Sequence, residues 1–145
     1  MAALIHSDTR GVFVIAVTPF TAEGEIDVSS IDRVVEFYLE KGVTGMTILG
    51  MMGEAHKLTA DESRTVDERY MRRIDGRIPV IVGVSAAGTD PLLKFAKGAM
   101  DQGAAGLMLA AVGTVRTEEQ IYGYFSDVLD RLDAPIVLQD CPFIT

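Results

Sequence analysis

Short apolar segments rich in β-branched residues alternate with amphipathic helical segments along this chain, and the strand starts recur at roughly thirty residues, the length of one βα unit. That alternation restricts the chain to architectures built on a parallel sheet covered by helices. Residues 1–10 read as a loose lead-in. Val12 to Val17 is an apolar run that predicts a buried strand, stopped by Pro19. Asp27 is placed to cap a helix whose inward side carries Ile31, Val34, Val35, Tyr38 and Leu39, and Gly42 closes it. Met46 to Leu49 predicts the second strand. A helix from about Ala60 to Asp75 follows, with Val66, Tyr70, Met71 and Ile74 inward. Pro79 to Val84 predicts the third strand and Ser85 to Thr89 a loop. The third helix buries Leu92, Leu93, Phe95, Ala96, Ala99 and Met100. Gly106 to Ala111 predicts strand four. The fourth helix carries Ile121, Tyr122, Phe125, Val128, Leu129 and Leu132, and Pro135 to Gln139 predicts strand five.

Periodicity alone leaves two architectures open, a β/α barrel and a doubly wound sheet. A closed barrel needs eight strands and about 250 residues. The chain has 145 residues and offers five strands. If it is a barrel, it reads as the N-terminal part of a single barrel domain, with an apolar strand edge left open at Val137.

Composition excludes several classes of function. Hydrophobic residues make up 48% and charged residues 23%, which suits a globular core. A net charge of −8 opposes binding to a phosphate backbone, so no nucleic-acid partner is expected. The arginines at 64, 69, 72, 73 and 77 are interleaved with Asp61, Glu62, Asp67, Glu68 and Asp75, which reads as a solvated helix face with pairs such as Glu68 to Arg72. The longest apolar run, around Ala104 to Val112, is too short to span a bilayer. The one cysteine, Cys141, allows no internal disulfide, and a cytoplasmic location is expected. His6, His56 and Cys141 have no metal-ligand spacing, so no metal is expected. The dinucleotide fingerprint G-x-G-x-x-G is absent from Gly45 to Gly53, and no cofactor is expected.

The stretch most suited to chemistry is Gly45 to Glu62, GMTILGMMGEAHKLTADE. A strand runs into a turn bracketed by Gly50 and Gly53. Thr59 then caps the next helix, with Glu62 three residues on to complete a capping box. Glycines let backbone amides approach a ligand closely, and strand ends of parallel α/β proteins are where ligands bind.

ILGMMGE before a capped helix is similar to the loop after the second strand in the dihydrodipicolinate synthase and N-acetylneuraminate lyase family of pyruvate-type aldolases. Val17-Thr18-Pro19-Phe20, Gly24 and Ile26-Asp27 resemble that family's first strand and loop. Pro79 to Gly83, Gly103 to Gly106 and Pro135 to Pro142 fall where its third, fourth and fifth strands lie. The resemblance implies a (β/α)8 TIM barrel of which about five units are present. It implies a lyase acting on pyruvate or a sugar-derived 2-keto acid, through a Schiff base on a lysine beyond this chain, in a homo-oligomer. It places Thr18, Gly50, Met51, Met52, Gly53 and Gln139 against the substrate.

Here the residues depart from the family. Its two loop threonines match Met51 and Met52, and a methionine cannot relay a proton. Its strand-five tyrosine matches Gln139, which hydrogen-bonds but is no phenol acid. Its tyrosine pair after strand four is absent from Ala111 to Val115. Backbone carboxylate binding survives, whereas condensation of pyruvate with aspartate semialdehyde is not expected. The substitutes for catalysis are Glu54, His56, Asp140 and Cys141, with Gln139 a further candidate. Each also has a plain structural role: Glu54 ties down the loop, His56 faces solvent, Asp140 holds a neighbouring backbone and Cys141 fills a small apolar site. Thr18 either lines the pocket or satisfies a strand-end amide. Lys41, Lys57, Lys94 and Lys97 read as exposed charges. The reading from another class is a family member without catalysis that binds a small carboxylate as a sensor or structural subunit.

Overall fold

The computed structural model describes residues 3–140. Strands β1 (Phe13–Ile15), β2 (Gly45–Ile48), β3 (Val80–Gly83), β4 (Gly106–Ala110) and β5 (Ile136–Gln139) alternate with helices α1 (Val28–Glu40), α2 (Ala60–Ile74), α3 (Thr89–Asp101) and α4 (Glu118–Leu129). The strands form one parallel sheet in the order β1-β2-β3-β4-β5. Every strand lies beside its sequence neighbour, without the order reversal of a doubly wound sheet. The architecture is an open β/α barrel segment of five strands. No helix of the described residues is long and apolar enough to cross a membrane.

Local chemistry sets the helix limits. The Asp27 carboxylate accepts from the Ser30 amide at 2.9 Å. The Ser30 and Ser29 hydroxyls and that amide hold its pKa down at about 2. Thr59 with Glu62, and Thr117 with Gln120, form reciprocal capping boxes. Gly42, Gly76 and Gly103 take the left-handed backbone that ends α1, α2 and α3.

The sheet has two faces. Met46, Ile48, Val80, Val82, Leu107 and Leu109 pack under the helices, against Ile31, Val35, Val66, Tyr70, Leu92 and Val128. The alternate residues, among them Ile15, Thr47, Ile81, Met108 and Val137, share the inner face. At β5 the expected open edge is present: Val137 and Leu138 are exposed, Leu138 by 55%.

Four expectations need correction. The first strand is shorter than Val12 to Val17 and only half-buried, with Val12 65% exposed. It is a sheet edge, paired with β2 alone. The lead-in is not loose throughout: the Ile5 amide donates to the Ala105 carbonyl at 2.9 Å, and the Ile5 side chain fills the space above Gly106, where a Cβ would meet it at 2.6 Å. Tyr122 is exposed, because the inward stripe of α4 runs through Tyr124, Phe125 and Val128, one helical step away.

The charged face of α2 is also not simply solvated. Arg69 makes a two-point pair with Asp32 of α1, its Nε at 2.7 Å, and Arg73 and Arg77 both reach Glu36 of α1 at 2.8 Å. Asp67 is fully buried. Gln102 Nε2 donates to its Oδ2 at 3.0 Å, while its Oδ1 has no hydrogen-bond partner.

Burial, followed by the negative charge of Glu68, pushes the Asp67 carboxyl up to about 7, against the partial relief from Gln102. The folded state therefore holds a proton that the unfolded chain releases near ~4. This stability is fully present below pH ~4 and is lost as pH rises towards 7. Asp67→Asn keeps an acceptor for Gln102 and removes the ionisation. Urea titrations across pH 4–8 should show that loss in the wild type and not in Asp67→Asn. The variant should be the more stable at pH 8, by on the order of 2–4 kcal/mol.

Candidate functional site

Because all strands run parallel, the segments that follow them gather at one end of the sheet. Thr18, Gly50 to Glu54, Ser85 and Gln139 all lie at that carboxyl end. β2 stops at Ile48 because Leu49 adopts φ 54°, a left-handed backbone that is uncommon outside glycine. The turn swings the Leu49 carbonyl across to β3. A Cβ on Gly83 would lie 2.1 Å from that oxygen, so only glycine fits there. The loop then folds back, and a Cβ on Gly53 would lie 3.1 Å from Leu49 N and 3.3 Å from Ala16 O.

A side-chain hydrogen bond ties this loop to the end of the first strand. The buried Thr18 hydroxyl donates to the Gly53 carbonyl at 2.6 Å. The Tyr70 hydroxyl donates to the Val17 carbonyl next to it, also at 2.6 Å, so α2 grips the same connection from behind. Burial raises the Tyr70 pKa and keeps it a donor at all ordinary pH. On the far side, the Ala110 amide donates to Ser85 Oγ at 2.8 Å, and Tyr124 of α4 donates to the Ala86 carbonyl at 3.2 Å.

The expected site residues fall as follows. Gly50 packs over the inner face, where a Cβ would lie 3.2 Å from Met108 Cε and 3.3 Å from Ile15 Cγ2. Met51 and Met52 are 44% and 59% exposed. Glu54 has a left-handed backbone and stands just before a short helical turn, Ala55–Lys57, without a side-chain capping bond. Its carboxylate accepts from Lys57 Nζ at 2.5 Å. That hydrogen bond, then the ammonium charge, holds Glu54 below the usual range. It is thus an ionised, paired group and a weak proton acceptor. His56 is exposed. Gln139 ends β5 opposite Ala110, half-buried, three strands across from the β2 loop. Asp140 is exposed, and Cys141 lies outside the described residues. Lys41, Lys57, Lys94 and Lys97 are all exposed. Among the described residues no group of His, Cys, Asp and Glu is arranged to hold a metal ion.

A cavity of about 830 Å³ lies between α2 and α3 and reaches the carboxyl end of the sheet, with Leu49, Gly83, Ser85, Asp67, Phe95 and Gln102 in its walls. Gly83, Tyr70 and Ser85, which hold the loops in place, were not singled out by sequence reasoning. A glycine inside the apolar run Pro79 to Val84 was the available signal for a close backbone approach.

The model of the Dihydrodipicolinate synthetase family matches residues 8–145. The 4-hydroxy-tetrahydrodipicolinate synthase of Salinibacter ruber is 36% identical over 136 residues, covering 92% of this chain and 44% of that protein. The crystal structure of dihydrodipicolinate synthase from Rhodopseudomonas palustris superposes with a TM-score of 0.89 at 44% identity, over 98% of this chain and 48% of that one. The chloride-inhibited dihydrodipicolinate synthase from Acinetobacter baumannii, complexed with pyruvate, gives a TM-score of 0.86 at 29% identity, over 94% and 47%. The chain spans about half the length of the relatives it matches.

Removing the Thr18 hydroxyl by Thr18→Val leaves the Gly53 carbonyl without that donor. The expected loss is about 1–3 kcal/mol of stability. Hydrogen exchange should quicken across residues 50–58 and stay unchanged in α1. Equal protection of the loop in both proteins would show that the bond does not hold it.

Proposed function

The chain belongs to the dihydrodipicolinate synthetase family, and from that premise we propose that it forms the N-terminal part of a single barrel domain in a lyase acting on a 2-keto acid through a Schiff base. The nucleophilic lysine is assigned to a later strand, outside this chain. The observation that carries the reading is the β2 loop: Gly50 to Gly53 sits at the carboxyl end of a parallel sheet and is braced by the Thr18 bond to Gly53. In this role its backbone amides receive the keto-acid carboxylate, as donors fixed before the ligand arrives. The glycines allow that approach, and Gln139 supplies an amide to the substrate from across the mouth.

The side chains here do not supply a phenol or threonine relay. Glu54 is engaged with Lys57, which favours a loop-bracing role over proton transfer. The complete protein should therefore have no useful activity in condensing pyruvate with aspartate semialdehyde. Met51 and Met52, standing where the family carries hydroxyls, also support a second reading, a non-catalytic member that binds a small carboxylate.

Borohydride reduction in the presence of pyruvate separates the two. An imine needs a neutral amine, which a desolvated pocket favours and an exposed surface position does not. Mass spectrometry should find one stoichiometric label on the complete protein and none on Lys41, Lys57, Lys94 or Lys97. Specific labelling of Lys57 would reassign the nucleophile. Absence of any label would favour the binding protein.

A further inference from the structure

We propose, resting on the carboxylate-binding reading above, that the rest of the substrate is apolar: the site takes 2-keto acids with an aliphatic or aromatic tail in preference to polyhydroxylated ones. Two independent features of the carboxyl end point there.

The first is what the inner face offers. Ile15, Ile81, Met108 and Val137 line it, and Gly50 rests directly on Ile15 and Met108. The loop above adds Met51 and Met52, whose side chains are substantially exposed. Methionine is flexible and polarisable, and it moulds to apolar groups of varied shape. Ile81 and Met108 are already buried and form an apolar floor; covering the exposed Met51 and Met52 with an apolar tail removes their surface from water, a gain that a hydroxylated tail does not match.

The second is what the polar groups are already doing. Thr18 gives its hydroxyl to Gly53 O, Tyr70 to Val17 O and Tyr124 to Ala86 O. Ser85 Oγ receives the Ala110 amide, and Glu54 is paired with Lys57. The sugar hydroxyls of a polyhydroxylated chain would exchange water for methionine and isoleucine. Gln139 serves one polar group, not a row of them.

The corresponding reaction needs no added oxidant or reductant. In a 4-hydroxy-2-keto acid held as the imine, the C3–C4 bond breaks and its electron pair stays on C3 as the enamine. The hydroxyl proton passes to water and the aldehyde leaves. C3 then takes a proton from water, and hydrolysis of the imine frees pyruvate.

Binding tests the preference without relying on turnover. Calorimetric titration of the complete protein compares 4-phenyl-2-oxobutanoate with 2-keto-3-deoxygluconate. The apolar acid should bind tighter by ~10-fold or more, the scale set by placing unmatched polar groups in an apolar pocket. Met51→Thr/Met52→Thr should shrink that ratio several-fold, whereas Met51→Leu/Met52→Leu should keep it. Equal binding, tighter binding of the sugar acid, binding of neither, or a ratio untouched by the threonine pair would overturn the proposal. Borohydride trapping with pyruvate reads the Schiff-base assignment separately, so failure of one leaves the other standing.

Discussion

The candidate site depends on one close approach between two backbones. The Leu49 carbonyl occupies the space that a side chain on residue 83 would fill. Leu49 pays for a left-handed conformation, and the absence of a Cβ on Gly83 makes that turn possible. From it follow the end of β2, the folding back of Gly53 and the meeting of Gly53 with Thr18. Gly50 is set down on Met108 and Ile15 by the same turn. Replacing Gly83 would disturb a loop some thirty residues away in sequence, with no change to any residue of that loop.

Local signals were readable wherever one segment decides its own structure. Asp27, Thr59 and Thr117 cap helices because their side-chain oxygens reach amides three residues on, a relation contained in a few residues. Continuous apolar runs marked strands covered on both sides, and β2, β3 and β4 are fully buried. The same pattern misled at β1, where burial depends on a neighbour strand and not on the run itself, whereas the exposed edge at β5 was expected.

What escaped the sequence is pairwise and distant. Ile5 docks on Gly106 across a hundred residues, and no composition cue in a short lead-in announces it. Asp67 sits among arginines in the sequence but beside Gln102 in space. Tyr70 was placed in the core by helical spacing, while its hydroxyl's grip on Val17 required the relative position of α2 and β1. At the site, the position of the β2 loop was legible from its glycines. The engagement of Glu54 with Lys57, which weakens it as a base, was not.

The helix layer is unevenly fastened. Arg69 and Arg73 of α2, with Arg77 just beyond its end, pair with the acids of α1, whereas between α2 and α3 stands a large cavity bridged by Gln102 and Asp67. The β2–β3 ladder and one continuous core join the two halves of the layer where helix contacts are few. Leu49 and Gly83 also stand in the wall of that cavity, so the close approach that shapes the β2 loop is shared with the least filled part of the helix layer, and a change in how α3 packs would be felt at the loop through Gly83.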